Sequence, residues 1–543
     1  MPLTNPHRVS SGGIGYDVGL KGNALLAVVT ACCATGFFLV GYDNGVMGGV
    51  IGTTYFVDYF NNPDANMTGN IVSLYEIGCL VGALSTFVIG SVLGRRLSII
   101  VGTLWMIVGA ILQAAATSTG MLIAGRVITG VGMGIINATV PVLQAECSPA
   151  MSRGKLVAID LVVLNCGIVL SYWIDYLFNF GGSLTGNVTW RAPLALQLVF
   201  IVVILILALI LPDTPRWYAS RGRKEETLSV LARLRNKPTT DVAVQAEFND
   251  ILQTIEHEAA SQQKGFLSLI KPGEGWKDDS IRSRRRLGLA CFIQAAQQLG
   301  GINALIYYSS TLFSVSLGFG SRDSALLAGG LNMVLILGAV ISIFLVDRLG
   351  RRPLLLSCIS GMSLVFVCQT VFVKRIAEGI ASAAVGNAAV AMLFLFELFF
   401  SVGFQATVWM IPSEVLPLSI RTQGSALSTA SNWICNFAVV KFTPSALQNI
   451  TWRTYIIFAI MNAAWVPVIF FFLPETAQKS LEQVDELFSK DGWQLDHKPG
   501  QTGEKIAQQM ESRRGSLEAG RAREESSDID SKTDGVQYTT TNV

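Results

Sequence analysis

Apolar runs of roughly 20 residues recur along this chain, separated by short polar loops or, once, by a long polar stretch. That is the length an α-helix needs to cross the hydrocarbon core of a bilayer. The pattern predicts twelve spanning helices, at about 24–50, 70–93, 97–117, 121–143, 156–178, 194–211, 286–315, 325–346, 353–373, 383–411, 422–442 and 454–473. The strict alternation of a membrane β-barrel does not compete with this reading. Between spans 6 and 7 lies a polar stretch of about 70 residues, 215–285, with helical periodicity at 223–236 and 244–260. From about 475 onward a tail ends in Ser, Glu, Arg and Asp, and its last forty or so residues read as disordered.

Lysine and arginine in the short loops set the orientation. Arg95 and Arg96 follow span 2, Arg153 and Lys155 follow span 4, and Arg348, Arg351 and Arg352 follow span 8. The middle stretch carries many more, and the loop at 51–69 has none. Both termini and the middle stretch are therefore expected in the cytoplasm. The candidate glycosylation sites Asn66, Asn187 and Asn449 all fall in loops assigned to the outside, whereas a fourth sequon, at Asn137, lies inside span 4.

The chain repeats itself. Glu146-x-x-Pro149-x-x-x-Arg153 returns as Glu414-x-x-Pro417-x-x-x-Arg421, 268 residues later. Leu93-Gly94-Arg95-Arg96 returns as Leu349-Gly350-Arg351-Arg352, and Pro212-Asp213-Thr214 as Pro474-Glu475-Thr476. The expected fold is thus an all-α membrane protein whose twelve helices form two pseudo-symmetric six-helix halves. Its segments are a cytoplasmic N-terminus at 1–23, a first half at 24–214, a cytoplasmic helical linker at 215–285, a second half at 286–474 and a cytoplasmic tail at 475–543. Parallel halves around a midplane site are the architecture of alternating-access transporters.

Composition narrows the function. The chain is 51% hydrophobic and 14% charged, whereas soluble domains carry about 25% charged residues. No basic patch with interleaved aromatics points to nucleic acid. The nine cysteines lie mostly inside apolar runs, without metal-ligand spacing or a disulfide framework. All three histidines (His7, His257, His497) lie outside the spans and no catalytic constellation appears, so an enzyme is not expected. Residues 1–20 lack the apolar core of a signal peptide, which leaves span 1 as the insertion signal.

Polar residues inside spans are costly and mark function. In span 1, Gly41, Gly45 and Gly49 recur every four residues and form a seam for close helix packing. Asp43 lies on the face away from that seam, and Arg126 is the strong base well inside the first six spans that offers it a partner. In span 7, Gln294, Gln297, Gln298 and Gly301 share one face, and Gly300-Gly301 are expected to loosen the helix near Asn303. Asn432 and Asn436 share a face of span 11, and Asn332 lies in span 8. Amides both donate and accept hydrogen bonds, which suits a neutral polyhydroxy ligand; the plainer reading is glue between helices. Glu397 is a buried carboxylate in span 10 without an evident partner.

Taken in order, these motifs resemble the sugar porter family of the major facilitator superfamily, over about residues 24–490. The matching pieces are Gly94-Arg95-Arg96, Gly125-Arg126, Glu146/Arg153, Pro212-Asp213-Thr214-Pro215-Arg216-Trp217 and Gln297-Gln298-x-x-Gly301-x-Asn303-x-x-x-Tyr307-Tyr308. The second half adds Asp347-Arg348-Leu349-Gly350-Arg351-Arg352, Pro412-Ser413-Glu414, Asn432-Trp433 and Pro474-Glu475-Thr476, and the run at 421–436 looks most like fungal members that carry sugars or polyols. The resemblance implies a proton switch at Asp43 and Arg126. It implies a substrate site at Gln297, Gln298, Asn303, Asn332, Trp409, Asn432 and Asn436, with Tyr172 where many hexose carriers place a glutamine. It implies a cytoplasmic gate at Arg95, Arg96, Glu146, Arg153, Asp347, Arg351, Arg352, Glu414 and Arg421.

Departures from the family pattern are Ser91 for an aspartate before the first Gly-Arg-Arg, Leu143 for a span-4 tyrosine, and Phe404-Gln405-Ala406 for Trp-Gly-Pro in span 10. The last predicts a straighter span 10. The expected activity is import of a monosaccharide, a hexose or pentose, with a proton as co-substrate and no cofactor, by a plasma-membrane protein working as a monomer. The alternatives are a polyol/proton symporter, a facilitative sugar uniporter and a transporter-like sugar sensor.

Overall fold

The computed structural model describes residues 18–148, 153–181, 185–261, 282–380, 382–417, 420–477, 479, 484, 487 and 488. The secondary structure assigned among them is helical. Eleven helices are long and apolar enough to cross a membrane. They are spans 1 (Gly22–Val50), 2 (Ala65–Thr86), 3 (Val92–Ala114), 4 (Thr119–Cys147), 5 (Ile159–Phe180), 6 (Val188–Ile210), 7 (Ser283–Ser316), 8 (Ser321–Leu349), 9 (Arg351–Ala377), 10 (Ala383–Val415) and 12 (Arg453–Phe472). The helix expected as span 11, Arg421–Asn449, has 29 residues, as many as spans 1, 4 and 8, but carries more amides and hydroxyls. The predicted linker helices appear as Lys224–Arg235 and Val242–Ser261, preceded by a short helix, Pro215–Ser220, that periodicity did not reveal.

The glycine seam of span 1 packs on span 5. A Cβ at Gly41 would collide with the Leu164 carbonyl, and one at Gly45 with Ser171. Each half packs internally, and the halves meet through spans 1 and 7, 2 and 11, and 5 and 8. The last two pairs are equivalent under the internal duplication, so the repeat in the sequence becomes a pseudo-two-fold contact. Large apolar side chains such as Val199, Ile206, Phe344, Leu364 and Phe471 remain exposed, as expected of faces that meet lipid tails.

The sequence repeats have a shared physical cause. Gly94 (φ 87°) and Gly350 (φ 88°) occupy a backbone region that side chains disfavour, and each turns the chain into the next span. Behind each stands the carboxylate of the third repeat. Asp213 accepts the backbone N–H groups of Arg95 (3.0 Å) and Arg96 (3.3 Å), and Glu475 accepts those of Arg351 and Arg352 (both 3.0 Å). These carboxylates satisfy orphan donors at the start of spans 3 and 9. Burial pushes the Asp213 carboxyl up, and the N–H groups of Thr214, Arg95 and Arg96 pull against that shift.

Span 10 departs from expectation. It is interrupted by a π-helical turn, Phe400–Phe404, so it is not the straighter helix that the missing Gly and Pro suggested. Ser401 donates to the Leu335 carbonyl of span 8 (2.6 Å), and Gly403 sits against Cys358 of span 9. The extra residue in that turn changes the face that follows it. Gln405 then exchanges hydrogen bonds with Asn165 of span 5, across the two halves (3.0 and 2.6 Å).

Candidate functional site

Span 7 breaks at Gly301, whose φ of 97° places two helical pieces end to end. Gln294, Gln297 and Gln298 end the first piece, and Asn303, Tyr307 and Tyr308 lie on the second. With Asn432 and Asn436 of the 421–449 helix they form one buried amide cluster. Asn432 Nδ2 donates to Gln294 Oε1 (2.7 Å) and Gln297 Oε1 (3.0 Å), and Gln298 Nε2 donates to Asn432 Oδ1 (3.0 Å). Asn303 Nδ2 donates to Gln298 Oε1 (2.7 Å) and Asn436 Oδ1 (2.6 Å). Each bond is of a kind that a sugar hydroxyl replaces without leaving a buried group unpaired.

The remaining predicted substrate residues sit apart from these bonds. Tyr172 is buried, but its hydroxyl donates to the Ile306 carbonyl and accepts from Ser309, tying span 5 to span 7. Asn332 is buried and donates to Ala328 of its own helix (2.8 Å). Trp409 is 36% exposed and shares no hydrogen bond with the cluster.

Asp43 and Arg126 meet as the sequence reading required. Arg126 NH1 lies 3.3 Å from Asp43 Oδ1, neither side chain reaches solvent, and the guanidinium lies 4.2 Å from the centre of the Tyr75 ring. Asp43 is not a solitary carboxylate, however. Glu76 of span 2 is fully buried beside this pair, and the Tyr307 hydroxyl lies 2.7 Å from its Oε1 and 2.9 Å from Asn44 Oδ1. Asp160 and Asp175 of span 5 and Glu397 of span 10 are also buried, without hydrogen-bond partners among the described residues. A carboxylate inside an apolar run was the available signal for Glu76, Asp160 and Asp175.

Polar contacts also join the two halves. Tyr307 bridges to Asn44 and Glu76, while Lys441 donates to Asn66 and Asn70 of span 2. At the arginine-rich ends of the spans the charged groups pair within one half. Arg95 meets Glu146 (2.8 Å), and Arg351 meets Glu414 (3.1 Å) and the exposed Asp347 (3.3 Å). Arg96 donates to the Ala208 and Leu209 carbonyls at the end of span 6, Arg352 to Phe470 at the end of span 12, and Arg421 to Leu416. These three arginines thus also close helix ends, a role their charge alone did not reveal. The side chain of Arg153 lies outside the described residues. Of the candidate glycosylation sites, Asn187 and Asn449 are exposed, and Asn66 accepts from Lys441.

Residues 28–488 match the family described as "Sugar (and other) transporter". The chain is 37% identical over 475 residues to the MFS-type transporter oryC of Aspergillus oryzae, covering 87% of this chain and 86% of that one. It is 35% identical to the sugar transporter STL1 of Saccharomyces cerevisiae (87% and 83% covered) and 31% identical to a quinate permease of Emericella nidulans (86% and 88%). The structure superposes on the proton:xylose symporter XylE with a TM-score of 0.70 at 22% identity, over 86% of this chain and all of that one. Helical halves enclosing buried amides and a buried ion pair make this a multi-pass membrane transporter of the major facilitator fold. Within that class the chain belongs to the sugar porter family.

Proposed function

We propose that this protein imports a monosaccharide, a hexose or pentose, together with a proton by alternating access. The observation that carries the proposal is the buried Asp43–Arg126 pair in the half that faces the amide cluster across Tyr307 and Asn436. A paired aspartate stays ionised, and one drawn away from its arginine in a dry site binds a proton. Rocking of the halves changes that separation and so links proton to sugar.

In this reading Gln297, Gln298, Asn303, Asn432 and Asn436 bind sugar hydroxyls, with Asn332, Tyr172 and Trp409 supporting them. Arg95, Arg96, Glu146, Arg153, Asp347, Arg351, Arg352, Glu414 and Arg421 act at the cytoplasmic gate. The protein sits in the plasma membrane with both termini and the 215–285 linker in the cytoplasm, works as a monomer, and needs no cofactor.

Coupling matters in magnitude. One charge crossing about 100 mV is worth about 2.3 kcal/mol, and one pH unit adds about 1.4 kcal/mol. The sum supports accumulation on the order of 500-fold, since each 1.4 kcal/mol is tenfold.

Relatives named as quinate permeases raise an anionic substrate as the rival. The amides, with Glu76 beside them, favour a neutral ligand over an anion. Uptake of labelled glucose, xylose, galactose, fructose, glycerol and quinate in cells stripped of their own carriers tests this. Saturable uptake of one sugar supports the proposal, and quinate uptake alone refutes it. A sensor would transport none of them.

A further inference from the structure

Asp43, Glu76 and Arg126 are each fully buried, and they share one space between spans 1, 2 and 4. A single guanidinium balances a single carboxylate, and an uncompensated charge there is costly. The trio is neutral with one proton aboard, and two carboxylates are available to hold it. We propose that Glu76 is a second seat for the transported proton, exchanging that role with Asp43 in the buried space around Arg126, and that Tyr307 couples its charge state to closure of the outer side. This rests on the proton-coupled reading above.

The groups facing Glu76 come from every packed element. Span 4 brings Arg126, span 1 brings Asp43 and the Asn44 amide, and span 7 brings Tyr307 and Tyr308. The 421–449 helix brings the Asn436 amide, and span 2 itself adds Tyr75 and Cys79. Arg126 is the one cation in that set.

The Tyr307 contact supplies the coupling. Tyr307 belongs to the second half and Glu76 to the first, so opening the outer side must break their 2.7 Å hydrogen bond. An ionised carboxylate accepts that bond more strongly than a neutral acid does. Closure therefore favours ionised Glu76, and opening favours the protonated form. One proton from the outer medium adds to a carboxylate oxygen in the outward-open state, and the same proton leaves toward the cytoplasm once the outer side has closed. Asn436 faces the same carboxylate and accepts from Asn303 of the amide cluster (2.6 Å), which places proton, gate and substrate side by side.

The test is the number of protons taken up per sugar carried, measured against external pH in transporter-null cells for the parent, E76Q, E76D, D43N and Y307F. The expected result is that E76Q loses at least about tenfold in protons per sugar, while E76D retains coupling with a displaced pH midpoint. Y307F is expected to move the apparent midpoint to higher pH, because the closed state, in which Tyr307 donates to ionised Glu76, loses that preference. Where E76Q carries no sugar at all, the E76D midpoint decides, and an unmoved midpoint overturns the proposal. E76Q matching the parent while D43N loses coupling would overturn the role of Glu76 and leave the symport reading standing. A parent that moves sugar without protons would overturn both.

Discussion

Asp43 and Arg126 are held 3.3 Å apart, and neither side chain reaches solvent. Such a pair contributes little net stability when formed, but removal of one partner strands a buried charge at a cost of about 3–5 kcal/mol. Arg126→Leu is therefore expected to lower the melting temperature in detergent sharply. The double variant Asp43→Asn with Arg126→Leu should recover much of that loss. Additive losses in a thermal-melt cycle would show that the two residues do not act as a pair.

The amide cluster predicts a graded loss of affinity. Removing one neutral hydrogen bond costs about 0.5–1.5 kcal/mol, so Asn303→Ala and Asn432→Ala should each raise KM for the preferred sugar by roughly 2–12-fold. Trp409→Phe, which removes no bond from the cluster, is expected to change KM less than either. Initial-rate uptake over a concentration series checks the ranking. An unchanged KM in both asparagine variants would reduce the cluster to a structural fastening.

The twin carboxylates behind Gly94 and Gly350 predict matched defects. Asp213→Asn and Glu475→Gln each weaken charge-assisted caps on two N–H groups. Loss of a cap costs about 0.5–2 kcal/mol. Both variants should melt earlier by similar amounts, with Asp213→Ala and Glu475→Ala worse. A large defect in one half and none in the other would contradict the shared role.

The span 1 seam predicts a steric contrast. Gly41→Val drives a side chain into the backbone of span 5, whereas Gly52→Ala meets nothing within 4 Å. The first is expected to lose surface expression, and the second to match the parent. Normal expression of Gly41→Val would place the seam elsewhere.

Much of this architecture was legible because its signals are local. Span length and arginine-rich loops need only nearby residues, each copy of the three repeats is a short contiguous motif, and the Gly300-Gly301 break follows from two adjacent glycines. The carboxylate behind Gly94 was not legible as a cap, since Asp213 reaches Arg95 from 118 residues away. Tyr172 and Trp409 illustrate a different limit. Their direction depends on how helices rotate, and a π-helical turn ahead of Gln405 alters the face of span 10 that follows. Glu76 is a missed signal of another kind. The rule that singled out Asp43 applies equally to it, but its hydrogen-bond partner, Tyr307, comes from span 7, 231 residues along the chain.

The central claim is that sugar and proton move together through Asp43. The most direct measurement is substrate-induced alkalinisation of the medium by transporter-null cells expressing the parent or Asp43→Asn, with each sugar offered in turn. Alkalinisation with one sugar is expected in the parent and its loss in Asp43→Asn, while labelled-sugar exchange continues. Sugar uptake without a proton signal, equal in the two proteins, would contradict it and make this chain a facilitator with a structural ion pair.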